Sequence, residues 1–324
     1  MKSPSPQLSV VIPAHNEDKS LPTFYAQLHG VLQAQKGLSY EVIFVDDGST
    51  DDTRSLLIQF AKQNDNVRLI CFPRNFGKEA ATSAGIQHAR GEGILMMDAD
   101  GQNPPELIPT FLQKWRSGAR VVVGVRTANQ KEGWIKRYGS KLFYALLKRM
   151  AHSDVVPRAT DFRLIDRTVQ QEFNSLTERN RMTRGLIDWL GYERATVPFV
   201  ANPRVAGEAS YKITKLFRLA INSFVSLTLA PLYAIAWAGG FITLLSLLSG
   251  LFVIIEQLVL HDPLDLKITG TAMLALLILF LVGLVLMSQG LMVLYISHIH
   301  AETQNRPLYI VDHKHSIRLE KPHA

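Results

Sequence analysis

The stretch Glu41-Val42-Ile43-Phe44-Val45-Asp46-Asp47-Gly48-Ser49 reads as a buried strand running into an acidic turn. Its apolar run has strand length, and Asp and Gly punctuate it as turn and cap residues do. Working outward, similar runs recur at residues 8–12, which end on Pro13, and at 67–72, 93–97 and 120–124. Helical patterns separate them at residues 21–35, 51–63 and 78–89. Strands alternating with helices predict an α/β domain whose mostly parallel sheet is covered on both faces. In such sheets ligands bind at the carboxyl ends of the strands.

Three polar clusters fall at those ends. They are Pro13-Ala14-His15-Asn16-Glu17, Asp46-Asp47-Gly48-Ser49-Thr50-Asp51 and Asp98-Ala99-Asp100-Gly101-Gln102-Asn103-Pro104-Pro105. One acidic turn is ordinary loop chemistry; three on successive strand ends mark a site. In the third, Asp98 and Asp100 flank a small Ala99. Two hard oxygen ligands at that spacing can reach one Mg²⁺ or Mn²⁺ that also binds diphosphate oxygens. Such an ion offsets charge developing on a nucleoside diphosphate leaving group. Carboxylates after the second strand can accept hydrogen bonds from a base N–H or a ribose hydroxyl. Neither a Walker lysine loop nor Gly-x-Gly-x-x-Gly follows the first strand, which excludes P-loop and dinucleotide sites.

The 324 residues carry a formal charge of +7, which suits phosphates or an anionic membrane surface as partners. No basic tail or nucleic-acid-binding signature is present. Cys71 is the only cysteine, so no intrachain disulfide and no cysteine-rich zinc site can form. Residues 1–7 lack the apolar stretch of a signal peptide.

Composition changes abruptly after Arg218. Residues 219–255 and 268–301 contain no Asp, Glu, Lys or Arg, and each exceeds the ~20 residues that cross ~30 Å of hydrocarbon as a helix. Soluble core helices rarely run so long without a charge. Two transmembrane helices are therefore expected, at 231–255 and 271–297. Glu256, His261, Asp262, Asp265 and Lys267 lie between them; Lys212, Lys215 and Arg218 precede them, and Arg306, Lys314 and Arg318 follow. The positive-inside rule puts both basic flanks in the cytoplasm. Ile213, Leu216, Phe217, Ala220, Ile221 and Phe224 recur at helical spacing with basic residues opposite, the pattern of an interfacial helix. The expected layout is a cytoplasmic catalytic domain (1–210), an amphipathic juxtamembrane helix (211–229), a transmembrane hairpin (230–298) and a cytoplasmic tail (299–324). This is a multi-pass protein of the inner (cytoplasmic) membrane.

The three clusters, together with Arg74-Asn75-Phe76-Gly77-Lys78-Glu79, Thr160-Asp161-Phe162-Arg163 and Arg204-Val205-Ala206-Gly207-Glu208-Ala209-Ser210-Tyr211-Lys212, carry a resemblance that spans nearly the whole chain. The sequence resembles family-2 glycosyltransferases of the GT-A fold. Within them it is most similar to the polyprenyl-phosphate branch, the dolichyl-phosphate mannose synthases and bacterial bactoprenol glucosyltransferases. The resemblance implies inverting transfer of one sugar from a nucleotide-sugar donor to a polyprenyl phosphate acceptor, with Mg²⁺ or Mn²⁺. It implies that Pro13, Ala14, Glu17, Asp46 and Lys78 line the nucleotide, while Asp98, Asp100 and Gln102 hold the metal. It sets Asp161 beside the transferred sugar, Arg126, Arg137 and Ser140 at the lipid phosphate, and Arg204 and Lys212 at the donor diphosphate. Gly101 departs from a leucine common at its position, a change expected to loosen the metal turn; Ala209 replaces a Thr or Ser and is expected to be neutral. UDP-glucose is the expected donor. UDP-N-acetylglucosamine, UDP-aminoarabinose derivatives and GDP-mannose remain alternatives.

Residues 134–150 support the acceptor assignment, since Lys136, Arg137, Lys141, Lys148 and Arg149 alternate there with apolar residues suited to a lipid surface. Trp189 and Tyr192 read as core, and His298 and His300 as interface residues. A nucleotidylyltransferase would begin with a Gly-rich basic loop, and a processive polysaccharide synthase would carry Gln-x-x-Arg-Trp and more spans; the chain has neither. A non-enzymatic scaffold would have no use for three acidic clusters. A homo-oligomer, a downstream flippase and a membrane glycosyltransferase are partners compatible with this layout.

Overall fold

The computed structural model describes residues 5–127, 159–178, 181–200 and 270–319, with 241, 244 and 248. The expectations for Arg137, Ser140, Arg204, Lys212, the interfacial helix and nearly all of the first span lie outside these residues. The chain divides into two units, Met1–Ala209 with Arg306–Ala324, and Ser210–Asn305.

In the first unit, strands β1 (Leu8–Ala14), β2 (Tyr40–Asp46), β3 (Val67–Cys71), β4 (Gly93–Met96), β5 (Val121–Arg126), β6 (Ala159–Asp166) and β7 (Arg194–Phe199) form one sheet in the order β3-β2-β1-β4-β6-β5-β7. The helices are α1 (Leu21–Ala34), α2 (Thr53–Gln63), α3 (Lys78–His88), α4 (Ile108–Arg116), α5 (Arg167–Ser175) and α6 (Thr183–Trp189). The five strands and three helices expected between residues 8 and 124 are present. The strands β6 and β7 were not foreseen. β1 alternates as a strand must: Leu8, Val10, Ile12 and Ala14 join the core under α1, while Val11 points to the opposite core against α3. Both faces are covered, which is why the strands read as unbroken apolar runs.

β6 decides where the chemistry gathers. It runs antiparallel to both β4 and β5, whereas β1–β2, β1–β4, β2–β3 and β5–β7 pair parallel. Its register sets Met96 against Arg163, so the chain two residues past β4 meets the start of β6. Asp98 and Asp161 thereby come to the same sheet edge as the ends of β1 and β2. The C-terminal tail also belongs to this unit. Leu69 and Ile317 form an antiparallel bridge with two backbone hydrogen bonds, and the Tyr309 ring stacks on Phe72 at 5.1 Å.

Trp189 corrects the expectation of a core residue, being 67% exposed. Ile187 and Asp188 supply the inward face of α6, and the next residue turns about 100° away from it. Tyr192 is half-buried beneath the Arg120 guanidinium, 5.4 Å from ring centre.

In the second unit, α7 (Gly270–Thr303) is a single 34-residue helix over the segment where the second span was expected. Leu274, Ile278, Val282, Val285, Val293, Ile296 and Ile299 are exposed along it. Among the described residues, many of the side chains of α7 being outside them, no helix is long and apolar enough to cross a membrane.

Candidate active site

The first acidic turn is built on hydrogen bonds to backbone. Gly48 takes φ +66, and a Cβ there would lie 2.2 Å from the carbonyl carbon of Arg74, so only glycine lets the β2 turn and the 72–77 loop touch. Asp47, at the same turn, accepts from the N–H groups of Phe76 (2.7 Å) and Gly77 (2.9 Å). Burial nonetheless pushes its carboxyl up against the pull of those two bonds. Asp46 is fully buried; it accepts from Arg54 Nε at 2.6 Å and from the Ser49 N–H at 3.0 Å. Arg54 also donates to the Phe72 carbonyl. Pro13 and Ala14 end β1 beside this turn, where the Ala14 carbonyl accepts from the Asp47 N–H. Glu17 accepts from Ser20 Oγ at the start of α1.

The centre of the site is an ion cluster. Gly77, at φ +100, delivers Lys78 to the first turn of α3. Its Nζ lies 2.5 Å from Asp98 Oδ1 and 2.8 Å from Asp161 Oδ2. Burial would lower the ammonium pKa, but the two carboxylates outweigh it and hold Lys78 charged well above its ordinary value. Asp161 is half-buried, which would raise its pKa, yet Lys78, Arg184 and Arg163 keep its carboxyl below the usual range. Asp98 goes the other way. Burial pushes it up, and Asp161 and Asp100 add to that against the pull of Lys78.

Gly101 sits at φ +75 in the third turn, a left-handed position that glycine takes without strain and leucine would not. Here the departure from the family pattern fits the turn. Asp100 Oδ1 accepts from the Gln102 N–H at 3.0 Å. The Gln102 side-chain oxygen, expected on a metal, accepts from Arg126 Nη2 at 2.7 Å. Arg126 Nε and the Asn103 amide are buried and without a hydrogen-bond partner among the described residues. No three His, Cys, Asp or Glu among the described residues form a ready ligand set. The donor chemistry nevertheless suits a hard divalent ion: Asp98 and Asp161 meet at one ammonium, and burial, Asp161 and Asp100 disfavour Asp98 as a bare anion.

Sequence reasoning missed the frame behind this cluster. Arg163 is 1% exposed and donates to both Asp188 oxygens, at 2.8 and 3.3 Å, and to the carbonyls of Thr160 and Arg184. Arg194 Nη1 stands 3.1 Å from Asp188 Oδ1 without hydrogen-bond alignment. The available signal was Arg163 set among Phe162, Leu164 and Ile165, because a buried guanidinium requires a carboxylate partner.

Acidic turns thus gather at the carboxyl ends of a mostly parallel sheet, the edge at which such folds bind their ligands. Residues 9–173 match Glycosyl transferase family 2. An uncharacterized glycosyltransferase of Synechocystis, sll0501, is 39% identical over 94% of either chain. YkcC of Bacillus subtilis, also an uncharacterized glycosyltransferase, is 36% identical over 96% of this chain and 95% of its own. The SfII prophage-derived bactoprenol glucosyl transferase of Shigella flexneri is 35% identical over 95% of this chain and 98% of its own. The chain is a glycosyltransferase and belongs to glycosyl transferase family 2, with the α/β fold of the GT-A type.

Proposed function

We propose that the chain transfers one glucose from UDP-glucose to undecaprenyl phosphate at the cytoplasmic face of the inner membrane. The observation that carries this reading is the extent of likeness to a bactoprenol glucosyl transferase. It covers 95% of the chain, so it takes in the acidic cluster and the uncharged segments alike.

The chemistry follows from the acceptor. A phosphate monoester has a second pKa near ~6 and is mostly dianionic at neutral pH, so it needs little help from a general base. One of its oxygens attacks the anomeric carbon, the bond from that carbon to the diphosphate oxygen breaks, and UDP leaves with the electron pair. Backside attack inverts the anomeric configuration. Asp161, held ionised by Lys78, accepts hydrogen bonds from sugar hydroxyls and orients the ring. Lys78 fixes the two carboxylates against each other. Pro13, Ala14 and Glu17 border the nucleotide, with Asp46 buried behind them on Arg54; Arg204 and Lys212 border the diphosphate, and Arg126, Arg137 and Ser140 the acceptor phosphate. Asp98 and Asp100 would hold Mg²⁺ or Mn²⁺, which neutralises charge on the departing diphosphate.

The membrane reading rests on length and connectivity. Residues 219–255 and 268–301 carry no Asp, Glu, Lys or Arg, and each is longer than the ~20 residues that cross ~30 Å of hydrocarbon as a helix. Both chain connections of the second unit lead into the first, so any crossing must occur an even number of times, as a hairpin does. The reading is tested by presenting the full-length chain in membranes with undecaprenyl phosphate and, in turn, UDP-glucose, UDP-N-acetylglucosamine and GDP-mannose. Lipid-linked sugar from UDP-glucose supports it. No lipid product from any donor refutes it.

A further inference from the structure

Residues 306–319 run back antiparallel along β3, an edge strand of the sheet in the same unit. One end of the segment is a clamp at the start of β3. Arg318 donates to the carbonyls of Asn64 and Val67, at 3.3 and 3.0 Å, and its own carbonyl accepts from Arg68 Nε at 3.1 Å. The middle continues along the edge: the Asp312 N–H donates to the Cys71 carbonyl at 2.8 Å, and the Cys71 N–H donates to Ser316 Oγ at 3.0 Å. The other end reaches the carboxyl edge of the sheet, where the acidic turns lie. There the Tyr309 ring stacks on Phe72, 5.1 Å between centres and 18° between planes, and its hydroxyl donates to Gln87 Oε1 at 2.6 Å.

Phe72 is fully buried and joined to the site through its backbone and its ring. Its N–H donates to the Asp46 carbonyl at 2.9 Å, its carbonyl accepts from Arg54 Nη2 at 2.9 Å, and its ring meets Phe76 edge-on at 5.6 Å. Arg54 in turn holds the Asp46 carboxylate. Phe76 and Gly77 give their N–H groups to Asp47, and Lys78 follows at the start of α3, with Gln87 in the last turn of the same helix. We propose that Tyr309 is a positioning residue for the donor nucleotide, its ring holding Phe72 and so the 72–77 loop against the Asp46–Asp47 turn. The inference rests on the nucleotide-sugar reading above and adds to it a residue that acts only through others. The bond to Gln87 sets the orientation of the ring. Without the ring, one face of a buried phenylalanine borders a void into which Phe72 and the loop relax. Loss of the Arg318 clamp would loosen the opposite end of β3 instead.

The test uses the full-length chain in detergent, below the Tm of every variant, with UDP binding read by calorimetry and turnover of UDP-glucose with undecaprenyl phosphate at steady state. Tyr309→Ala should weaken UDP by about threefold or more, the scale of a lost aromatic contact. It should raise KM for UDP-glucose and leave KM for undecaprenyl phosphate unchanged. Tyr309→Phe, which keeps the stacked ring, should bind UDP within about twofold of wild type. Tyr309→Leu, which keeps apolar volume without the ring, should weaken UDP in the same direction and carries the test if the alanine variant does not fold. Arg318→Ala should lower Tm and leave UDP affinity as it was. If Arg318→Ala weakens UDP as much as the Tyr309 variants do, or if both KM values rise in parallel, Tyr309 only stabilises the fold and the inference falls. Wild-type affinity for UDP in Tyr309→Ala or Tyr309→Leu overturns this inference alone. Failure of wild type to bind UDP overturns it together with the reading beneath it.

Discussion

Asp188→Ala is the sharpest probe of the frame that holds the site. Asp188 is nearly buried and faces two guanidinium groups, Arg163 at 2.8 Å and Arg194 at 3.1 Å, with the Arg163 side chain only 1% exposed. Solvent therefore does little to screen the pair. Removing the carboxylate strands a buried cation, a change that costs about 3–5 kcal/mol. For a domain of this size each kcal/mol shifts Tm by about 2–4 °C, so we expect a fall of about 6–20 °C. Arg163 also holds the carbonyls of Thr160 and Arg184, so turnover should fall along with stability. The double variant Arg163→Met/Asp188→Leu removes the most buried pair and leaves only the more exposed Arg194 without its carboxylate. It should recover at least half of the lost Tm, because the penalty lies in the unpaired cation and not in the absence of a pair. Thermal unfolding of the full-length chain in detergent, followed by intrinsic fluorescence, reads both variants. A fall of less than about 2 °C for Asp188→Ala, or a double variant no better than the single, would refute this reasoning.

Asp98→Asn and Asp100→Asn should abolish turnover, and EDTA should reproduce the loss reversibly with Mg²⁺ or Mn²⁺; because burial already disfavours the Asp98 anion, Asp98→Asn should hold or raise Tm, and full wild-type activity in EDTA would contradict the metal assignment. Glu41 is buried, which alone would raise its pKa, but Arg68, the Ser9 hydroxyl and Arg90 hold it below the usual range. A depressed carboxylate contributes stability that is present above its unfolded pKa, about 4.3, and is lost as pH falls through the folded value. Glu41→Gln should flatten that acid limb in a Tm series from pH 7 to 3; an unchanged limb would contradict the assignment. Gly48→Ala forces a Cβ against Arg74 and Asn75 and should displace the 74–77 loop, weakening UDP binding by at least about tenfold, about 1.4 kcal/mol, in calorimetry; unchanged affinity would contradict a nucleotide site at this turn.

Much of the sheet was legible because burial on both faces leaves a simple mark. Residues 8–12 and 41–45 are apolar runs of strand length that stop at Pro13 and Asp46, and nothing competes with that reading. β6 was not legible as a strand, since Ala159–Asp166 carries Thr160, Asp161, Arg163 and Asp166 and lacks clean alternation. Its polar residues are accounted for only in three dimensions, where Asp161 meets Lys78 and Arg163 meets Asp188. The three acidic clusters were legible as a site because they fall on successive strand ends. Their internal pairing was not. Asp46 turns inward to Arg54, and Gln102 turns to Arg126, because hydrogen-bond partners distant in sequence decide those rotamers.

The central claim is transfer of a single sugar onto a lipid phosphate, and the lipid product tests it most directly. The full-length chain with undecaprenyl phosphate, UDP-glucose and Mg²⁺ should yield one species by mass spectrometry, undecaprenyl phosphate carrying a single hexose, and Asp161→Ala should yield far less of it. A ladder of products bearing several hexoses, or a hexose attached to anything other than the lipid phosphate, would contradict the account.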